Sequence, residues 1–386
     1  MSRIKLNYSI RKKCVLSKND KLKNFLSLKK FPVFIGCTSQ KRNKDLFFDM
    51  DWSVGSKSGL IQLKKLIDPK KIYFKYHSEA VGEVWKKHHE EFSNFIIKYC
   101  DQTVLEMGGG ANNLANICVK NSKIKNWFNF EIAKINKNQI KYNKKVKYVN
   151  KSINDQIIKK FVLNKTSFVH SHAIEHLYHP MDTLRKISRF KEIDKMIFSV
   201  PNLKKYLLNK YTNAINFEHT ILMTEEVLKK MLNMINFKIV KKKYFRDHSI
   251  FIYAKKCNSI SNYKLPNLKN YQVRYKNMIN FYKARTLRMN KLFFKNNKRQ
   301  NFLFGAHIFS QFLIYMGLKE NNFKFIIDNS KQKQNKRLYG SELFVQKPEI
   351  IKKISNPLVL VNAGQYQKEV ESQLKKINKT VQIIRL

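Results

Sequence analysis

The chain has 386 residues, more than one ordinary domain holds, and its 43% hydrophobic content can fill several buried cores. Its 77 Lys and Arg against 27 Asp and Glu leave a formal charge of +50, and the scarcity of Gly (11) and Pro (7) excludes disordered and fibrous classes. Five scattered Cys with no CxxC pair exclude a disulfide framework and a thiolate zinc site, and no run approaches the roughly 18 apolar residues of a membrane span.

A reduced, cytoplasmic protein with no membrane insertion is therefore expected. The basic residues do not cluster. Lys is spread evenly and mixed with Asn and Ile, as A/T-rich coding produces. The charge then says mainly that anionic ligands are attracted, and a nucleotide-linked substrate fits that as well as RNA does.

In chain order, residues 1–95 mix short strand-like runs (Phe31–Ile35, Gly59–Leu63) with a helical stretch from Glu79 to about Lys98. Residues 96–257 alternate apolar β-type runs with helical patterns, the sign of a parallel sheet in a doubly wound α/β fold. The runs are Thr103–Leu105, Trp127–Phe130, Lys147–Val149, Ser167–Val169 and Met196–Val200. Phe237–Val240 and Ile250–Tyr253 close the set as an antiparallel pair. A polar linker and a basic helix occupy 258–300, and a second α/β unit fills 301–386.

The chemistry begins at Val104-Leu105-Glu106-Met107-Gly108-Gly109-Gly110. A strand that ends in a carboxylate and runs into a glycine turn lets a nucleotide-like ligand approach the backbone closely. Glu131 ends the next strand, where a carboxylate can accept from both ribose hydroxyls. The acid precedes the glycines, and Asn112 stands where a pyrophosphate fold wants its third glycine. A carboxylate there repels a pyrophosphate and attracts a sulfonium carrying an amino-acid tail. This segment resembles motif I of class I methyltransferases, which implies S-adenosylmethionine as cofactor. The run Ser167–Pro180, with His172, Glu175 and His176, is similar to their fourth strand and the turn after it, and Ile197–Asn202 to their fifth. The resemblance places Glu106, Gly108, Gly110, Asn112, Glu131 and His172 around the cofactor.

The flanks narrow the likeness. Tyr73–Ser78, His88-His89 and Glu218-His219-Thr220 resemble bacterial sugar C-methyltransferases. So do Phe304-Gly305-Ala306, Ile326–Ser330, Gly340 and Asn362–Tyr366 of the last block. That family implies a Rossmann-like methyltransferase sheet between a small N-terminal α+β domain and a second C-terminal α/β domain. It also implies a nucleotide-linked deoxy-keto-sugar as substrate, in surface-glycan biosynthesis. Its N-terminal domain holds zinc through two CxxC pairs. Here those positions resemble Cys14/Ser17 and Gly55/Ser58, so no zinc is expected and packing must hold the block. Its glycine-rich HGGS-like segment is reduced to Asp247-His248-Ser249.

By the same resemblance His176 is the candidate base, with Glu175 beside it and Tyr76 reaching in, while Glu218, His219 and His248 shape the acceptor pocket. A metal at His170, His172 and His179 is not expected, because that spacing suits ligands poorly. Cys118, at helical spacing behind the loop, is core. Gly305-Ala306 with Asp328 resembles a nucleotide turn, but its single glycine favours packing or substrate contact. Alternatives are methylation of RNA or another nucleic acid, O- or N-methylation of a glycan precursor, and a non-catalytic scaffold. No Pro-Pro-Tyr type acceptor motif supports the first, and the intact Glu106, Gly108, Gly110 and Glu131 oppose the last. The expected assembly is a monomer or homodimer.

Overall fold

The computed structural model describes residues 6–73, 83–258 and 262–386. Near the N-terminus β1 (Leu22–Pro32), β2 (Phe47–Gly55) and β3 (Ile61–Leu63) form an antiparallel sheet in that order. Strand β1 interleaves polar residues with apolar ones, and only Leu28, Phe31 and Pro32 are fully buried. Their cover comes from far along the chain: Phe31 meets the rings of Phe217, Phe312 and Tyr315.

Where the resembled family would hold zinc, side chains close the two loops upon each other. The Asp20 carboxylate accepts from Ser56 Oγ (3.1 Å), Lys57 N (2.8 Å) and Ser58 N (3.0 Å). Cys14 Sγ lies 3.4 Å from Ser58 Oγ and accepts from Gln62 Nε2 at 3.1 Å. Gly55 is required here, because a Cβ would stand 2.5 Å from Asp20 Oδ2 and 2.2 Å from Ser58 Oγ.

The central sheet follows α1 (Glu83–Tyr99), whose buried Val84, His88, Phe92, Phe95 and Ile96 recur at helical spacing on one face. Strand β4 (Thr103–Met107), helix α2 (Asn113–Cys118), and strands β5 (Asn126–Phe130), β6 (Val146–Val149) and β7 (Thr166–Ser171) come next. Then follow α3 (Pro180–Arg189), β8 (Lys195–Pro201), α4 (Glu225–Asn233), β9 (Phe237–Phe245) and β10 (Ser249–Lys256). The strand order is β9-β10-β8-β7-β4-β5-β6. Strands β8, β7, β4, β5 and β6 run parallel, and β10 inserts antiparallel between β8 and β9. Every residue of β4 is buried, as helices on both faces of a parallel sheet require.

The 27-residue helix α5 (Lys269–Lys295) leads to a second, all-parallel sheet. It comprises β11 (Asn301–Phe304), β12 (Phe325–Ile327), β13 (Val345–Gln346), β14 (Leu358–Val361) and β15 (Gln382–Arg385), in the order β13-β12-β11-β14-β15. Helix α6 (Ile308–Tyr315) follows β11. The N-terminal block packs on this unit. Cys37 and Thr38 pair with Leu338 and Arg337, and the Arg337 guanidinium forks onto the Asp45 carboxylate at 2.7 and 2.8 Å. One hydrophobic core runs from Leu28, Phe31 and Trp52 through Tyr275 and Tyr282 of α5 to Phe312 and Leu360.

Burial raises the Asp20 carboxyl, but hydrogen bonds from Ser58 and Lys57 outweigh it and hold the group below its ordinary 3.8. Its stabilisation is therefore present above that value and lost as pH falls through the lower folded one. Asp20→Ala should cost about 2–3 kcal/mol in urea unfolding at pH 7, because donors are left unpaired. The gap between variant and parent should shrink in acid; a gap independent of pH would refute this role.

Candidate active site

Beyond the carboxyl ends of β4, β5 and β7 lies a crevice with a cavity of about 320 Å³. Its floor is the turn after β4. Gly108 and Gly110 have φ of +72° and +54°, which side chains disfavour. Gly109 is pinned hardest: a Cβ there would lie 2.4 Å from Glu106 Cδ and 2.5 Å from Asn129 Oδ1. Its N–H donates to Asn129 Oδ1 at 3.0 Å.

Glu106 is buried beneath this turn and accepts from Trp127 Nε1 at 2.7 Å. Burial pushes its carboxyl up to about 7, against the pull of the indole. Glu131 receives Gly110 N (3.0 Å) and Ala133 N (2.8 Å) on its two oxygens, which keep lone pairs for a ligand hydroxyl. Burial raises its carboxyl as well. Asn112 is left-handed (φ +67°) and buried; its side chain accepts from Asn129 Nδ2 at 2.7 Å and donates to Lys141 O at 3.1 Å. It is absent from the cavity lining, so it braces the loop where the sequence reading has it touching cofactor.

The wall is built of imidazoles. His172, with a φ of +50°, lines the cavity and lies 2.8 Å from Ser249 Oγ through Nε2. His176 lines it too, with Tyr73 Oη 3.2 Å and Glu218 Oε2 3.8 Å from Nδ1 and the His219 ring at 4.7 Å. Glu175, expected beside His176, instead turns its buried carboxylate to His172 Nδ1 at 3.5 Å. Burial pushes that carboxyl up to about 8. Glu218 and His219 are held by their N–H groups on Asn216 Oδ1, both at 2.9 Å. Burial drives His219 down to about 3, and His88, His172 and His248 are likewise lowered, so these rings are neutral at physiological pH.

His248, expected at the acceptor, is buried away from the cavity lining, 5.4 Å from the rings of both His172 and His88. His170 is core, stacked on Phe198 at 4.5 Å. Cys118 is also core. Tyr76 lies outside the described residues. Tyr73 and His89, which the sequence marks only as part of a family likeness and gives no site role, line the cavity together with Trp85, and Asn129 braces its floor. A Tyr among 18 carries no signal of its own, and the reach of α1 into the crevice is not encoded in its spacing. In the C-terminal sheet, Asp328 accepts from Ala306 N at 2.7 Å and lies 3.1 Å from Lys333 Nζ, so the nucleotide-like turn is closed by its own acid.

Residues 258–384 match the family described as C-methyltransferase C-terminal domain. No protein of curated function matches the sequence. Among solved structures, the chain is similar to a SAM-dependent methyltransferase from Archaeoglobus fulgidus (19% identity, 44% of this chain and 94% of that one, TM-score 0.36). It is also similar to 1,6-didemethyltoxoflavin-N1-methyltransferase from Burkholderia thailandensis, with 1,6-didemethyltoxoflavin and S-adenosylhomocysteine bound (13%, 46% and 82%, 0.34). A third is a SAM-dependent methyltransferase from Mesorhizobium loti (9%, 45% and 99%, 0.34).

A sulfonium with an amino-acid tail is a cation that needs carboxylates and approachable backbone. Two buried carboxylates at three successive glycines meet both needs. With the β9-β10-β8-β7-β4-β5-β6 sheet, this crevice defines a Rossmann-like, S-adenosylmethionine-dependent methyltransferase. Within that class, residues 258–384 are similar to the C-terminal domain of C-methyltransferases.

Two consequences can be measured. Gly109→Ala overpacks the turn against Glu106 at a cost of about 1–3 kcal/mol, so S-adenosylmethionine affinity should fall roughly tenfold or more. Unchanged affinity by calorimetry would show that the turn gives way. Because a bound cation favours the ionised form of a carboxyl near 7, affinity should rise from about pH 6 to 8 with proton release on binding. Calorimetry in buffers of different ionisation heat reads the proton, and Glu106→Gln should abolish it.

Proposed function

We propose that the chain methylates a carbon beside a ketone in a nucleotide-linked deoxy-sugar, for bacterial surface glycans, with His176 as base. The observation that carries this reading is the placing of His176 in the crevice between Tyr73 and the Glu218 carboxylate. With its proton on Nδ1, facing these two oxygens, the neutral ring leaves Nε2 as the proton acceptor. Glu218 then stabilises the imidazolium formed when the α-proton is taken.

When bound, S-adenosylmethionine supplies an electrophilic methyl group to the sugar enolate. The chain's own residues align the acceptor, keep the site dry and hold the abstracted proton. Burial keeps the Tyr73 hydroxyl protonated, so it remains a donor. The +50 charge draws in a pyrophosphate-bearing substrate. The match of the C-terminal unit to the C-methyltransferases supports carbon as the acceptor atom. Nucleic acid is not the partner in this reading, and the protein works in the cytoplasm; among the described residues no helix is long and apolar enough to cross a membrane.

A nucleoside-diphosphate 4-keto-deoxy-sugar incubated in D₂O without cofactor should exchange its α-proton, and with cofactor should gain a C-methyl group visible by NMR. His176→Ala should slow both by about 10²–10⁴-fold. A product methylated at oxygen or nitrogen, or tight and salt-steep binding of total RNA instead, overturns the assignment.

A further inference from the structure

Three histidines from remote stretches of chain meet behind the crevice wall. His88 comes from α1, His172 from the turn after β7, and His248 from the turn between β9 and β10. One nitrogen of each lies within 4.8 Å of the other two. The ring centroids form a nearly equilateral triangle: His88–His172 5.5 Å, His88–His248 5.4 Å and His172–His248 5.4 Å. Trp85 stands edge-on to all three, at 4.5 Å from His248, 5.0 Å from His88 and 5.1 Å from His172.

We propose that His88, His172 and His248 bind one divalent transition-metal cation of the zinc class, reached from the crevice past His172. Three imidazoles are a ligand set that suits zinc and its neighbours, and carboxylate-seeking magnesium or calcium poorly. Nδ1 of fully buried His88 has no hydrogen-bond partner among the described residues, a cost that a ligand would remove. Behind His172 stands the second observation. The Glu175 carboxylate is buried, its oxygens have no hydrogen-bond partner among the described residues, and one lies 3.5 Å from His172 Nδ1.

A carboxylate behind the far nitrogen of a ligating imidazole is the arrangement that orients such ligands and raises their basicity. The near nitrogen, His172 Nε2, then faces Ser249 Oγ, which also lies 2.5 Å from His248 Nδ1. Ser249 is thus placed to lend a fourth, weaker oxygen. Tetrahedral zinc with bonds near 2.0–2.1 Å needs nitrogens about 3.4 Å apart, so binding draws the rings together by roughly 1 Å. The left-handed backbone of His172 is the strain such a site stores.

The full-length protein, stripped with chelator, would be titrated with Zn²⁺ alone by calorimetry and counted by mass spectrometry after desalting. One zinc per chain is expected, and Co²⁺ in its place should give the visible bands of a low-coordinate site. His88→Gln and His248→Gln should each weaken zinc at least tenfold, and Glu175→Gln by about 10–100-fold. The stoichiometry should survive His219→Gln, which alters only the neighbouring group of Glu175, His176 and His219. Retained S-adenosylmethionine binding certifies that each variant is folded. No saturable zinc, or zinc that persists in both His88→Gln and His248→Gln, overturns the proposal. Metal counting is independent of methyl transfer, so it can fail while the sugar assignment stands, or the reverse.

Discussion

Glu106 is a carboxylate under a lid of backbone, and the rest of the site depends on it. The group cannot move aside, because Trp127 holds it from below and Gly109 rests on it from above. Asn129 ties the same turn to Asn112, and Glu131 ties Gly110 to the next strand. A buried acid left alone costs several kcal/mol as an ion, so burial lifts the Glu106 carboxyl to about 7, and a cation bound beside it favours the ionised form. The protein thus holds in reserve a charge that its cationic ligand calls up.

The opposite wall has the complementary character. Buried imidazoles there are neutral, because burial disfavours the charged ring and the neighbouring imidazoles disfavour a further charge. Glu218 stands next to His176, the ring proposed to take a proton, and can offset the charge made there. In the proposed reaction the His176 ring thus gains its charge only during turnover, opposite the carboxylates of the floor.

What could be read from the sequence follows from how local each signal is. The glycine turn, Glu106 and Glu131 are legible because strand, acid and glycines are contiguous, and β9 with β10 because their apolar runs are near neighbours in sequence. Strand β1 is not, since Lys23, Lys29 and Lys30 break its pattern and Phe31 is buried only by Phe217, Phe312 and Tyr315 from far along the chain. Trp85 fails for the same reason, since it precedes the sheet and reaches the site only as α1 docks, and Tyr73 is marked by its segment's family likeness without a role. Asn112 misleads in the other direction. Its place in the motif predicts a ligand contact, whereas its side chain is consumed by Asn129 and Lys141. Likewise the spacing of His170, His172 and His179 argues against a metal on that segment, while His88 and His248 arrive at His172 from elements that no spacing rule connects.

In the N-terminal block side chains do the work of a staple. A bound metal ties two loops by a few strong bonds, and small domains use it because their cores are too thin. Here the two loops are tied by Asp20 to the backbone of Lys57 and Ser58, bonds that only a charged acceptor makes strong. That alone would leave a thin sheet, and the remaining stability comes from elsewhere in the chain. Arg337 clamps Asp45, Cys37 pairs with Leu338, and Trp52 packs on Tyr275 of α5. A block held this way has its stability tied to the C-terminal unit. Tyr73 follows that block and packs against the same core, so the proposed catalytic wall is coupled to it.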